Sequence, residues 1–151
     1  MLKLVTIVGT RPEIIRLSRI IPHLDKISKE ANEIRAVNTI SINDDGKLLG
    51  YNTDYYGFQK SLFENLNKKV RNALILGTGG SSKAIKYVLK ENFINYNVVS
   101  RTRNKGNYVY NELDKGVISE HQLIINTTPL GTYPNIQNCP DINFDFIKNH
   151  H

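Results

Sequence analysis

Cysteine is nearly missing from this chain: Cys139 is the single one in 151 residues. That excludes an intrachain disulfide and a cysteine-built zinc cluster, and makes the cytoplasm the expected compartment. No apolar run approaches the ~20 residues that a bilayer span requires. The stretch Leu4-Val5-Thr6-Ile7-Val8-Gly9 is too short for a signal peptide, and Arg11 and Glu13 follow it too soon. No membrane partner is therefore expected. Long basic runs are also lacking. The net charge is +6 and the pI about 9.4, yet the lysines and arginines are scattered and no nucleic-acid motif accompanies them. A basic surface that attracts phosphorylated small molecules explains the charge, with no nucleic acid as partner. The four histidines are dispersed, so no metal site is expected.

What is present is a strand, a glycine turn and a helix in immediate succession: Asn72-Ala73-Leu74-Ile75-Leu76-Gly77-Thr78-Gly79-Gly80-Ser81-Ser82-Lys83-Ala84. This order holds a nucleotide pyrophosphate. Gly77 permits the tight turn, Gly79 lets the backbone approach the phosphates, and small Ser82 and Ala84 let the helix pack close to the strand. The first helical N–H groups, with the helix dipole behind them, face the anion. The third glycine of the usual pattern is replaced by Ser82, so the motif is a relaxed form. Gly77, Thr78, Gly79, Gly80 and Ser81 are the candidate pyrophosphate contacts.

About 20 residues further on, the spacing that the dinucleotide fold uses for its ribose contact, Asn95-Tyr96-Asn97-Val98-Val99-Ser100 reads as a second strand. An NAD site carries Asp or Glu at the end of that strand. Here the strand ends in Ser100-Arg101-Thr102-Arg103. Two guanidiniums and two hydroxyls suit a 2′-phosphate, because arginine offers planar, bidentate donors to phosphate. NADP is the expected cofactor; taken alone, the same residues also read as a solvated basic loop.

Elsewhere, residues 4–8 read as a strand, and Pro12 is placed to open a helix running to about Leu24. Ser28 is placed to cap a short helix. Residues 36–42 alternate as a strand, Asn43-Asp44-Asp45-Gly46 is a hairpin turn and residues 48–51 return. Thr53 or Asp54 is placed to cap a helix with Phe58, Leu62, Phe63 and Leu66 on one face. Strands at 73–76, 96–100 and 122–127 then alternate with a helix at 81–91 and a helix or loop around 108–118. That is a β-α-β-α-β unit and predicts a parallel, Rossmann-like α/β sheet. The expected organisation is a partial substrate-binding domain over 1–53 and an NADP-binding domain over 54–151. With three parallel strands alone, Leu74, Ile75, Ile124 and Ile125 are expected to stay partly uncovered, which favours a homodimer.

Five segments together resemble one family. Glu33-Ile34-Arg35-Ala36-Val37-Asn38-Thr39-Ile40 is similar to the "IGAVNT" segment of shikimate dehydrogenases, and Gly50-Tyr51-Asn52-Thr53-Asp54 with Gly57-Phe58 to their "GxNTDxxGF" motif. Gly77-Thr78-Gly79-Gly80-Ser81 resembles "GAGGA", Ser100-Arg101-Thr102 resembles "NRT", and Asn126-Thr127-Thr128-Pro129-Leu130-Gly131 resembles "NxTPxGM". The resemblance covers roughly residues 20–151. It implies reduction of 3-dehydroshikimate to shikimate with NADPH. It also implies that Asp54 is the catalytic aspartate that bonds a substrate hydroxyl, and that Asn38 binds substrate hydroxyls. Without the motif, Asp54 reads as a helix cap and Asn38 as a strand-end residue.

The departures are equally specific. The family's catalytic lysine belongs to an "NVTxPxK" segment whose place falls near Leu17, where this chain has no lysine. The upstream "SxS" substrate segment and the family's C-terminal part have no counterpart, and Thr132 stands where a methionine is usual. Val5-Thr6-Ile7-Val8-Gly9-Thr10-Arg11-Pro12-Glu13 instead resembles the "FGTRPE" start of non-hydrolysing UDP-N-acetylglucosamine 2-epimerases. Three readings follow: an NADP-dependent shikimate dehydrogenase of impaired activity, a non-catalytic NADP-binding fragment, and an epimerase-related protein that binds UDP-sugars.

Overall fold

The structure, a computed structural model, describes residues 3–6, 21–66 and 70–147. The helix expected to open at Pro12, and most of the epimerase-like stretch, lie outside the described residues. The chain forms two compact units that divide between Leu62 and Phe63. No helix among the described residues is long and apolar enough to cross a membrane.

The first unit is a four-stranded sheet. Strand β1 (Lys3–Thr6) pairs antiparallel with β3 (Thr39–Ile42), β3 pairs antiparallel with β4 (Leu48–Tyr51), and β4 pairs parallel with the short β2 (Lys26–Ile27). The β3–β4 hairpin closes as its turn residues dictate. Gly46 takes φ +78°, its N–H donates to Asn43 O at 3.0 Å, and Lys47 N donates to Asn43 Oδ1 at 2.8 Å. Helix α1 (Lys29–Ile34) starts at Ser28, whose Oγ accepts from Ala31 N at 3.2 Å, the capping bond expected of serine at that position. Among the described residues, Ala31, Ile34, Ile40 and Leu62 are buried apolar residues of this unit. Helix α2 (Asp54–Asn65) carries the chain out of it.

The second unit is the expected parallel sheet, with one strand more than the sequence reading gave. Strands β5 (Asn72–Leu76), β6 (Asn95–Ser100), β7 (Tyr108–Val109) and β8 (Leu123–Asn126) are all parallel, in the order β7-β6-β5-β8. The central strand β5 is apolar because both its faces are covered: Ala73, Leu74, Ile75 and Leu76 are at most 1% exposed. Helix α3 (Gly80–Glu91) buries Ala84, Ile85, Val88 and Leu89, spaced at the helical period. Residues 108–118 resolve into β7, a 3-10 turn (Tyr110–Glu112) and the start of helix α4 (Lys115–Glu120), which Asp114 caps through Val117 N at 2.8 Å.

The expected exposure of the sheet face is corrected for Leu74 and Ile75, which are fully buried. The segment that contains Ile142, Phe146 and Ile147 packs on the cluster of Leu74, Leu76, Val99, Leu113 and Ile118 and covers the Leu74 face of β5; Ile75 points to the other face. Ile124 and Ile125, on the edge strand β8, stay half-buried as expected.

Candidate functional site

In the second unit the glycine turn is built by three constraints. β5 ends at Leu76, and Gly77 turns the chain with φ +108°, a region that side chains rarely adopt. Gly77 N donates to Val99 O at 2.9 Å, which locks the turn to β6. On its other side the residues after β8 approach closely. Thr127 donates to Leu76 O from both N (2.9 Å) and Oγ1 (2.8 Å). A Cβ at Gly77 would lie 2.9 Å from Thr127 Oγ1 and 3.1 Å from Thr128 Cγ2. Glycine here is therefore required both by conformation and by contact.

Gly79 and Gly80 have a different reason. A Cβ on either would meet no protein atom within 4 Å, so packing does not demand glycine there. Gly79 stands at the N-cap of α3 with no side-chain capping bond, which leaves the first N–H groups of a 12-residue helix facing outward. Exposed donors, a helix dipole and a backbone without side chains fit a pyrophosphate. Ser82, at the relaxed third-glycine position, is 1% exposed, and its Oγ donates back to Gly79 O at 2.7 Å. Thr78 and Ser81 are exposed beside this turn.

At the end of β6 the four residues of the basic loop separate into distinct roles. Ser100 is 4% exposed, and its Oγ accepts from Thr102 N at 3.1 Å, so this hydroxyl shapes the loop. Arg101 and Thr102 are exposed, and no carboxylate pairs with Arg101 among the described residues. Burial pushes the Tyr110 phenol up, and the charge of the Arg101 guanidinium opposes that push. Arg103 is held by Glu112, the Nη1 donating to Oε2. The two guanidiniums therefore have different surroundings.

In the first unit the site residues are joined by asparagine side chains. Asn38 Oδ1 accepts from Thr53 N at 2.9 Å and from Thr39 Oγ1 at 3.0 Å. Its carbonyl end is thus occupied, and its amide end is the group it has to offer. Asn52 is 5% exposed. Its Nδ2 donates to Ala36 O at 3.2 Å, while its Oδ1 accepts from Asp54 N at 3.1 Å and Tyr55 N at 3.4 Å. Thr53 stands just before α2 and accepts from Gly57 N through its backbone oxygen at 3.1 Å, while the side-chain capping bonds come from Asn52, one residue earlier than the sequence reading placed them. Asp54 is thereby released from capping and stands exposed in the first turn of α2. An open pocket of about 420 Å³ in this unit is lined by Thr53 and Asn52 together with Thr39, Tyr51 and Tyr55. Burial, reinforced by the nearby Glu30 charge, raises the Tyr55 phenol above its ordinary value.

Two residues of structural weight were missed in the sequence. Asn52 sits inside a recognised segment, two residues before a helix, and an asparagine so placed is a legible capping signal. Glu112 carries no local signal, since its partner lies nine residues away across an irregular loop. Among the described residues no cluster of His, Cys, Asp or Glu is arranged to hold a metal.

No family model matches the chain. It is 39% identical to a shikimate dehydrogenase (NADP(+)) of Clostridium beijerinckii, over 98% of this chain and 57% of that protein. Among solved structures it is similar to shikimate dehydrogenase from Aquifex aeolicus, with a TM-score of 0.77, 33% identity, and coverage of 99% of this chain and 56% of that one. It is also similar to a shikimate 5-dehydrogenase of Thermus thermophilus solved with NADP(H) and shikimate. There the TM-score is 0.69 at 29% identity, over 85% of this chain and 50% of that one. The chain spans about half the length of the curated relatives it matches. These relatives indicate an oxidoreductase family whose cofactor is NADP.

Proposed function

We propose that this chain is part of a shikimate dehydrogenase, the family that its homologues and structural neighbours support, and that its two units divide the work. The parallel-sheet unit takes NADP(H). The hairpin unit offers Asn38 and Asp54 to a ring bearing several hydroxyls, shikimate or its 3-keto form. The observation that carries the reading is the coincidence, in one sheet, of a glycine turn at φ +108° before a helix whose N-cap glycine makes no side-chain bond and an exposed arginine just past the next strand that has no carboxylate partner among the described residues.

NADPH held there would supply a hydride for the ring carbonyl carbon, and with no lysine near Leu17 the proton on the resulting alcohol oxygen would come from water. The chain's residues bind and orient around that exchange. Gly77 to Ser81 would hold the pyrophosphate, and Arg101 with Thr102 would meet the 2′-phosphate. Asn38 donates from its amide nitrogen to a substrate hydroxyl, because its oxygen already serves Thr53 and Thr39. Asp54 accepts from a second hydroxyl and sets a negative charge beside the reacting centre.

The missing lysine limits the rate. A positioned general acid contributes about 10²–10⁴-fold, so oxidation of shikimate by NADP⁺ is expected to run at least ~100-fold below ordinary enzyme turnover. The test is formation of NADPH by the purified chain given shikimate and NADP⁺. A slow rate that is abolished by Asp54→Ala supports the reading. Turnover at about 10 s⁻¹, the ordinary enzyme median, contradicts the assignment of impaired catalysis, and a rate indifferent to Asp54 contradicts its role.

A further inference from the structure

The two arginines of the β6 exit loop have different surroundings, and that difference has a functional consequence. Arg103 Nη1 donates to Glu112 Oε2, and the same oxygen accepts from Val109 N at 2.9 Å. That one carboxylate oxygen therefore ties the guanidinium to the Val109 backbone. The loop is also tied at both ends. Thr102 N donates to Ser100 Oγ at 3.1 Å at the entry. At the exit Asn107 N donates to Val98 O at 2.8 Å and Asn107 Oδ1 accepts from Val98 N at 2.9 Å. Between those ties, the Arg103–Glu112 pair joins the 3-10 turn Arg103–Lys105 to the 3-10 turn Tyr110–Glu112.

We infer that Glu112 is a positioning residue for cofactor selection. It holds Arg103 as a clip across the loop, so that Arg101 and Thr102 are presented to the 2′-phosphate and Arg103 is not itself a phosphate ligand. The inference rests on the cofactor reading above. The physical reason is competition. A charge-assisted bond to an anchored carboxylate is already made in the free protein, and Arg103 has to break it to reach a phosphate. Arg101 has no such bond among the described residues. A loop already closed also loses less conformational freedom when the cofactor arrives.

The experiment is fluorescence titration of the intact chain with NADPH and with NADH, for wild type, Arg101→Ala, Arg103→Ala, Glu112→Gln and the Arg103→Ala/Glu112→Gln double variant. Glutamine keeps an oxygen for Val109 N and removes only the charge. Arg101→Ala is expected to weaken NADPH about tenfold, as loss of one charge-assisted bond does. Arg103→Ala and Glu112→Gln are each expected to weaken NADPH by about threefold, with the double variant no weaker than either, the signature of residues acting as one unit. NADH affinity is expected to move less than about twofold throughout, because NADH lacks the phosphate that the clip serves. The inference is overturned if Arg103→Ala abolishes the NADPH preference while Glu112→Gln keeps or raises it, since Arg103 then binds the phosphate directly. It also falls if the clip variants lose NADH equally and melt earlier, which is a merely structural role. If Arg101→Ala leaves NADPH untouched, the cofactor reading fails first and the inference goes with it.

Discussion

The two units hold their candidate site residues by different means. In the parallel-sheet unit, position follows from backbone geometry on a buried core. The central strand is wholly covered, the turn after it is closed by main-chain bonds to β6, and its key residue is a glycine whose dihedral few other residues adopt. In the hairpin unit, position follows from side chains. Asn38 and Asn52 bridge β3, β4 and the start of α2 through their amide groups, in the unit that buries Ala31, Ile34, Ile40 and Leu62. Backbone-built sites tolerate change at neighbouring side chains and fail when the backbone is blocked. Side-chain-built sites fail one amide at a time.

Three substitutions sharpen that contrast. The largest effect is expected from Gly77→Val, which adds a β-branched side chain at φ +108° within 3.1 Å of Thr127 and Thr128. Strain and overpacking together cost about 3 kcal/mol. Thermal unfolding should show the parallel-sheet unit melting well below its wild-type midpoint, with NADPH binding lost. Retention of both would mean that the turn is not set by its glycine. Next is Asn52→Ala, which removes a helix cap and a buried tie, at about 2 kcal/mol. Hydrogen exchange should then quicken in β3, β4 and the first turn of α2 while β5 and β6 keep their protection. Equal quickening in both units would erase the distinction drawn between them. The smallest change is a gain. Phe93 is 95% exposed at φ +56°, just after α3, where its ring contributes no burial. Phe93→Gly should raise stability by about 0.5–1 kcal/mol through relief of backbone strain, read as a higher unfolding midpoint with cofactor affinity unchanged.

The same contrast explains what was legible in the sequence. The parallel-sheet unit was readable because its signals are local: β-branched and aliphatic runs for the strands, glycines for the turn, and the ~20-residue spacing to the next strand end. Strand β7 escaped because Tyr108–Val109 is only two residues long and exists by pairing with Val99 and Ser100. The cover over Leu74 escaped because Ile142 and Phe146 come from a polar, irregular stretch and meet the sheet only in three dimensions. The hairpin turn and the Ser28 cap were legible for the same local reasons. Three good capping types in succession, Asn52, Thr53 and Asp54, mark the start of α2 without saying which side chain makes the bonds. What decides among them is that Thr53 is drawn to Asn38 across the hairpin, a long-range fact. The division of Arg101 from Arg103 was hidden likewise, because it depends on Glu112.

The central claim is that the parallel-sheet unit is a working NADP(H) site read by Arg101. The most direct test is a fluorescence titration of the intact chain with NADPH and NADH, repeated on Arg101→Ala. The account predicts at least tenfold tighter binding of NADPH than of NADH, with the preference lost in the variant. Equal affinity for the two cofactors, or no binding of either, would contradict it.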